Sequence, residues 1–275
     1  MEWFSLRNGY QKSKAIKVNG LEKMCQNRLW NVLYEFISND AECIEYFPVV
    51  NYILDHLGEI KITVPAHTKT AIFTIQDYFF KKWYKSFDVI EMFLTSIYEN
   101  AYLIPQKTIE YVNAFNKVLE EEKSGYRFLE NKAVPITNSS ELELLEEVIH
   151  SEFESVNIHF KKAIEFYSDR ICPDYENSIK ESISAVEALC CIITGIDGGN
   201  STLGKTLKKL RDKGIYIHPA LENAFSSMYG YTSDENGIRH GGIDFTNAPE
   251  EDAKYMLLSC SAFVNYLIAK LSKIS

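Results

Sequence analysis

The residues best suited to chemistry crowd into one short segment, residues 229–242. There Arg239 and His240 stand side by side, with Ser233, Asp234 and Asn236 just before them and glycines at 230, 237, 241 and 242. An imidazole titrates near neutral pH and can take or give a proton in a reaction. A guanidinium can clamp a phosphoryl group and stabilise the charge that develops on it. Glycines let backbone come close to a ligand. These residue types suit metal-free RNA cleavage, in which a 2′-hydroxyl attacks the adjacent phosphate. They suit a surface turn with a helix-capping role equally well, and residue types alone leave both open.

Two further strings could carry chemistry. Gly199, Gly204, Lys205 and Thr206 match a phosphate-loop pattern. That motif works only between a strand and a helix, where backbone amides cradle phosphate. A helical stripe precedes it here, and no apolar strand ending in a magnesium-binding Asp follows, so a turn capped by Ser201 or Thr202 is expected and nucleotide binding is the alternative. Lys205, Lys208, Lys209, Arg211 and Lys213 lie opposite a leucine stripe and form one cationic face, which is either an ordinary solvated face or an RNA phosphate track. The other histidines are weaker candidates. His159 falls within a helix, His218 precedes Pro219, and His56, His67 and His150 lack acidic or cysteine partners at ligand spacing. Asp234 and Glu235 could attract a cation, but nothing nearby completes a shell. No metal or other cofactor is expected.

The elements that must position these groups are mostly helical. Apolar residues recur at helical steps over residues 21–37, 44–57, 72–84, 87–97 and 108–123. Residues 61–65 leave strand and loop undecided. Residues 126–129 and 133–137 flank a polar three-residue break and predict a β-hairpin with Pro135 favouring its edge. Ser140 and Glu143 form a capping box. A single long helix then follows through Ile171, with Leu145, Ile149, Phe153, Val156, Phe160, Ala163 and Tyr167 on its stripe and Pro173 ending it. A broadly apolar helix spans residues 175–194, with Ile192 among its buried positions and Glu176, Lys180 and Glu187 along a polar edge. A short helix carries Leu203, Leu207 and Leu210 and stops at Gly214. Pro219 opens another helix, residues 233–247 form a polar loop, and Pro249 starts a long last helix. The expected fold is therefore mainly α, with two helical halves joined by a small β-hairpin. Residues 1–137 form an N-terminal helical domain ending in the hairpin, and residues 138–275 form a helical bundle.

The chain has 275 residues, 46% of them hydrophobic and 24% charged, which is normal for globular domains and argues against long disorder. A net charge of −9 excludes a general nucleic-acid coat, because phosphate would be repelled by most of the surface. None of the six cysteines forms a Cys-x-x-Cys pair, so neither a disulfide framework nor a zinc site is indicated and a reducing cytoplasm is expected. No signal peptide is expected at residues 1–10, and residues 255–271 are too short and polar to span a bilayer well, so no membrane partner is expected.

Residues 175–189, 201–207 and 238–242 together resemble the C-terminal domain of bacterial abortive-infection proteins, a domain of the HEPN group (higher eukaryotes and prokaryotes nucleotide-binding). Leu29-Trp30-Asn31, Gly125-Tyr126-Arg127-Phe128 and Val134-Pro135-Ile136-Thr137 resemble one class of AbiJ-type N-terminal domain. The resemblance implies a HEPN-like bundle, a homodimer through that bundle, RNA as substrate and metal-independent cleavage in antiviral defence. It makes His240 and Arg239 the catalytic residues. Asn236, Lys205, Lys208 and Lys209 would bind substrate, and Glu187, Ser233 and Asp234 would support the pair. The family pattern has an arginine, four to six residues, then the histidine, whereas Arg239 adjoins His240 and Ser233, Asp234 and Glu235 occupy the expected stretch. A non-catalytic sensor or partner-binding module therefore stands beside the nuclease.

Overall fold

The computed structural model describes residues 16, 20–38, 47–64, 67–99, 105–136, 138–169, 171–196, 203–233 and 248–274. The chain divides into two compact units, Met1–Thr137 and Asn138–Ser275.

The first unit holds five described helices: α1 (Lys23–Ser38), α2 (Phe47–His56), α3 (Thr68–Lys81), α4 (Trp83–Glu99) and α5 (Pro105–Glu121). Each presents an apolar stripe to a common core. Leu29, Leu33, Ile53, Phe79, Phe93 and Phe115 are wholly buried there. Aromatic rings fill the middle, with the Phe36 and Tyr111 centroids 4.2 Å apart and Phe115 and Phe128 5.8 Å apart. Helices α3 and α4 would run together but for an extended Lys82. Buried Ser86 bridges that break, donating to the Phe79 carbonyl at 3.0 Å while accepting from the Gln26 amide at 3.0 Å.

Two short antiparallel strands follow, β1 (Arg127–Leu129) and β2 (Lys132–Val134), with Phe128 opposite Ala133. An isolated two-stranded ribbon is marginal in water, and here helices satisfy both of its outer edges. Asn116 of α5 donates to the Phe128 carbonyl at 2.8 Å and accepts from the Phe128 amide at 2.6 Å, imitating a third strand. Glu91 of α4 accepts from the Ala133 amide at 2.8 Å, and Asn131 in the turn donates to Thr95 at 2.9 Å. Asn51 repeats the device on residues 61–64, which form no strand: it donates to the Ile62 carbonyl at 3.0 Å and accepts from its amide at 2.8 Å. After α5 the chain turns at Lys123, which takes a left-handed conformation (φ 52°).

The second unit contains α6 (Ser139–Ile149), α7 (Glu154–Ser168), α8 (Tyr175–Thr194), α9 (Leu203–Leu210) with a 3₁₀ turn at Arg211–Lys213, α10 (Pro219–Ser233) and α11 (Glu250–Leu271). Four sequence expectations are corrected here. The single helix through Ile171 is two helices. Ser151 and Asn157 exchange hydrogen bonds at the break: Asn157 donates to the Ser151 carbonyl at 2.7 Å, and the Ser151 hydroxyl donates to the Asn157 side-chain oxygen at 2.6 Å. This local chemistry competes with the helical ladder and wins over a continuous apolar stripe. The N-cap of α6 is Asn138, whose side chain accepts from the Ser140 amide, rather than Ser140 itself. Asp169 accepts from the Ile171 and Cys172 amides and ends α7 early, so Ile171 is 98% exposed rather than on the stripe. Ile192 is likewise exposed.

Helices α7 and α8 form the spine of this unit. Small residues let them approach closely: Ser178 is fully buried and donates to the Ala163 carbonyl at 2.8 Å. Asp174 caps the start of α8 by accepting from the Asn177 amide, and Gly195 closes its end in the left-handed conformation. Helix α11 lies against α8, α7 and α6, and its Asn265 donates to the Leu144 carbonyl and the Glu147 carboxylate.

Two outcomes are expected from the hairpin supports. Asn116→Ala strands both polar groups of the buried Phe128 backbone and destabilises the chain by about 1–3 kcal/mol, measured from the urea midpoint at unchanged slope. Burial raises the Glu91 carboxyl above its ordinary value of 4.5, while the Ala133 amide and the Lys132 ammonium pull it down. The folded chain thus holds that proton more tightly than the unfolded chain. Stability from this group is greatest at low pH and falls as pH rises upward from about 4.5. The Glu91→Gln variant keeps an acceptor for the amide and abolishes the titration. Calorimetry is expected to show it gaining on the wild type as pH rises from about 4.5, and a gap that shrinks over that rise contradicts the burial cost.

Candidate functional site

Helix α8 is held by one broad buried face that includes Ile179, Ile183, Val186, Leu189 and Cys190, and it carries Glu187 half-buried on its polar edge. Helix α9 packs on α8 through Leu203, Leu207 and Leu210, each 2% exposed or less. That placement turns Lys205, Lys208 and Lys209 outward together, since residues three and four apart share a helix face. Thr206 is buried at 2% exposure. Helix α8 runs to Thr194 before the glycine-rich string, so the element preceding it is a helix and not the strand a phosphate loop requires. Residues 199–202 lie outside the described residues.

Arg239, His240, Asn236 and Asp234 also lie outside the described residues, and Ser233 is the last residue of α10. What is described is the pair of helices that flank them, α10 and α11. Between these lies an open cleft of about 360 Å³ lined by Ser227, Met228, Asp252, Tyr255 and Met256. It is mainly apolar, with Asp252 supplying the charge.

Sequence reasoning set His159 aside, yet the structure gives it a carboxylate partner. Its Nδ1 lies 2.6 Å from the Glu181 Oε2, linking α7 to α8. The pair is partly exposed, at 31% and 24%, which fits a modest inter-helix tie. The two residues are 22 positions apart, so only the antiparallel register of the helices brings them together and no local spacing signals it. Among the described residues no group of three or more His, Cys, Asp or Glu could hold a metal ion. Thiolate chemistry is disfavoured at two buried cysteines: burial, together with Cys191 and Glu187 nearby, pushes the Cys190 thiol up to about 12, and burial alone pushes Cys260 up to about 12.

Residues 2–151 match the model of AbiJ N-terminal domain 4. The chain belongs to this family. Membership places it with abortive-infection defence proteins. No curated protein matches the chain, and no solved structure matches it. The AbiJ match covers every element of the first unit and continues through α6, the first helix of the second. No helix among the described residues of this AbiJ-family chain is long and apolar enough to cross a membrane.

Thiol labelling tests the burial. At mildly alkaline pH, exposed Cys172 of the native protein is expected to react with an alkylating reagent, while Cys190 and Cys260 react only after denaturation. Site-resolved mass spectrometry reads the result, and native labelling of Cys260 contradicts it.

Proposed function

We propose that this AbiJ-family protein is an abortive-infection effector whose second unit is a HEPN-like bundle that cleaves RNA without a metal. The observation that carries the proposal is the combination of an AbiJ N-terminal domain with an Arg-His pair in the polar segment between two helices of a bundle. In the proposed reaction His240 takes the proton from a 2′-hydroxyl, whose oxygen attacks the adjacent phosphorus. The bond to the 5′-oxygen breaks, and the protonated imidazole returns a proton to that leaving oxygen. The products are a 2′,3′-cyclic phosphate and a free 5′-hydroxyl. Arg239 stabilises the charge on the phosphoryl oxygens. Lys205, Lys208 and Lys209, exposed on one face of α9, would hold neighbouring phosphates. Asn236 would contact substrate, while Glu187, Ser233 and Asp234 would support the pair. A homodimer through the bundle and a cytoplasmic location belong to the same proposal.

The adjacency of Arg239 and His240 favours a second reading. The family pattern separates the two by several residues, and a bundle without that spacing would serve as a sensor or partner-binding module. Incubation of the purified protein with single-stranded RNA and a chelator decides between them. The nuclease proposal expects cleavage by the wild type and a loss of at least about a hundredfold in His240→Ala. Equal cleavage by both proteins, or none by either together with intact cell protection by the Arg239→Ala, His240→Ala double variant, leaves the binding module.

A further inference from the structure

The acidic chain gathers positive charge at one end of its second unit. Between Leu203 and Ile217 five cations meet one acid, Asp212, and no acid follows Asp252 to the end of the sequence. The chain's path joins these two segments in space. Lys270, near the end of α11, donates from Nζ to the Tyr216 carbonyl at 3.2 Å, and a Cβ at Gly214 would lie 3.6 Å from Ile274. Aromatic rings are interleaved with the cations. The Arg211 guanidinium lies 5.5 Å from the Tyr216 ring centroid, and the Lys270 ammonium lies 5.4 Å from that of Tyr266. Tyr216 is 55% exposed, so its side chain is open to a ligand. The Glu222 carboxylate stands 3.9 Å from the Arg211 guanidinium, a long ion pair.

We infer that this end of the bundle, from the α9 lysines through Arg211 and Tyr216 to Lys270, is a binding surface for single-stranded nucleic acid. Lysines three and four apart on α9 follow a phosphate backbone as point charges. The Arg211–Tyr216 pair offers a flat ring beside a fixed cation, which is what an unpaired base needs for stacking. Bases within a duplex are already stacked on one another and cannot use the ring. On a chain of net charge −9, this local excess of cations gives a polyanion a place to bind. The surface rests on the proposed function only for RNA as the polyanion, and it requires no cleavage.

The test uses the full chain and a fluorescein-labelled 2′-O-methyl oligouridylate, which lacks the attacking hydroxyl, so that binding is read apart from catalysis. Anisotropy is followed from about 50 to about 200 mM salt. The Tyr216→Ala variant is expected to bind about tenfold more weakly with an unchanged salt slope, and Tyr216→Phe to bind like the wild type. The Lys208→Gln, Lys209→Gln variant is expected to bind more weakly with a salt slope reduced by about 1 to 2. Far-UV circular dichroism confirms folding, which substitutions at exposed positions should leave intact. Undiminished affinity in Tyr216→Ala, equal affinity for a duplex of the same length, or binding to phosphatidylserine vesicles without binding to the oligonucleotide each overturns the inference. Retained binding with no cleavage of unmodified RNA supports this surface and removes the nuclease.

Discussion

Among the described residues, backbone amides and carbonyls that leave the helical ladder lose their helical partners, and those that are shielded from water must find another. Leaving one unpaired costs about 1–3 kcal/mol, a large fraction of a domain's net stability. Side chains meet most of that need here. Asn51 and Asn116 each pair both polar groups of an extended residue, Glu91 takes the far edge of the hairpin, and Ser86 bridges the α3–α4 break. Asn138 and Asp174 close helix starts in the second unit. With those ends satisfied, short helices can stack their apolar stripes without sheet support, and the two-stranded ribbon persists although it has no third strand.

The same constraint explains how much of the fold could be read from residues alone. Stripes of leucine, isoleucine and phenylalanine recur at helical steps, so the presence of most helices was plain, as was the hairpin between two extended runs. Their ends were less plain, because the partner that closes an end sits anywhere from two to dozens of residues away. The apolar pattern from Leu145 to Tyr167 runs on unbroken, yet Ser151 and Asn157 interrupt it with bonds that hydrophobic spacing cannot report. Ser140 and Glu143 have the letters of a capping box, but Asn138 reaches the amide first. Ile171 kept the rhythm of the stripe and lies in solvent, because Asp169 had already turned the chain.

The candidate site divides in a similar way. The cationic face of α9 was legible because an amphipathic helix sorts its lysines from its leucines by geometry alone. Its continuation was not. Tyr216 and Lys270 are 54 positions apart and meet only because the last helix returns alongside the 3₁₀ turn. His159 was passed over for the same reason, since its carboxylate stands on the antiparallel neighbour. Arg239 and His240 draw attention by residue type, and their chemistry depends on tertiary placement that adjacency in sequence does not determine.

The limits of the AbiJ match carry a physical consequence for how such chains are divided. The first compact unit ends at Thr137, but the match continues to residue 151 and takes in α6. That helix buries Leu145 and Val148 completely, and its Leu144 carbonyl and Glu147 carboxylate receive the Asn265 amide of α11. A cut at the end of the match would therefore strip the bundle of a core helix and leave part of α11 uncovered. A cut at 137 would keep α6 with α11, together with the Asn265 bonds to Leu144 and Glu147. The family segment is thus a unit of sequence likeness, whereas the folding unit is set by where apolar area and hydrogen bonds close.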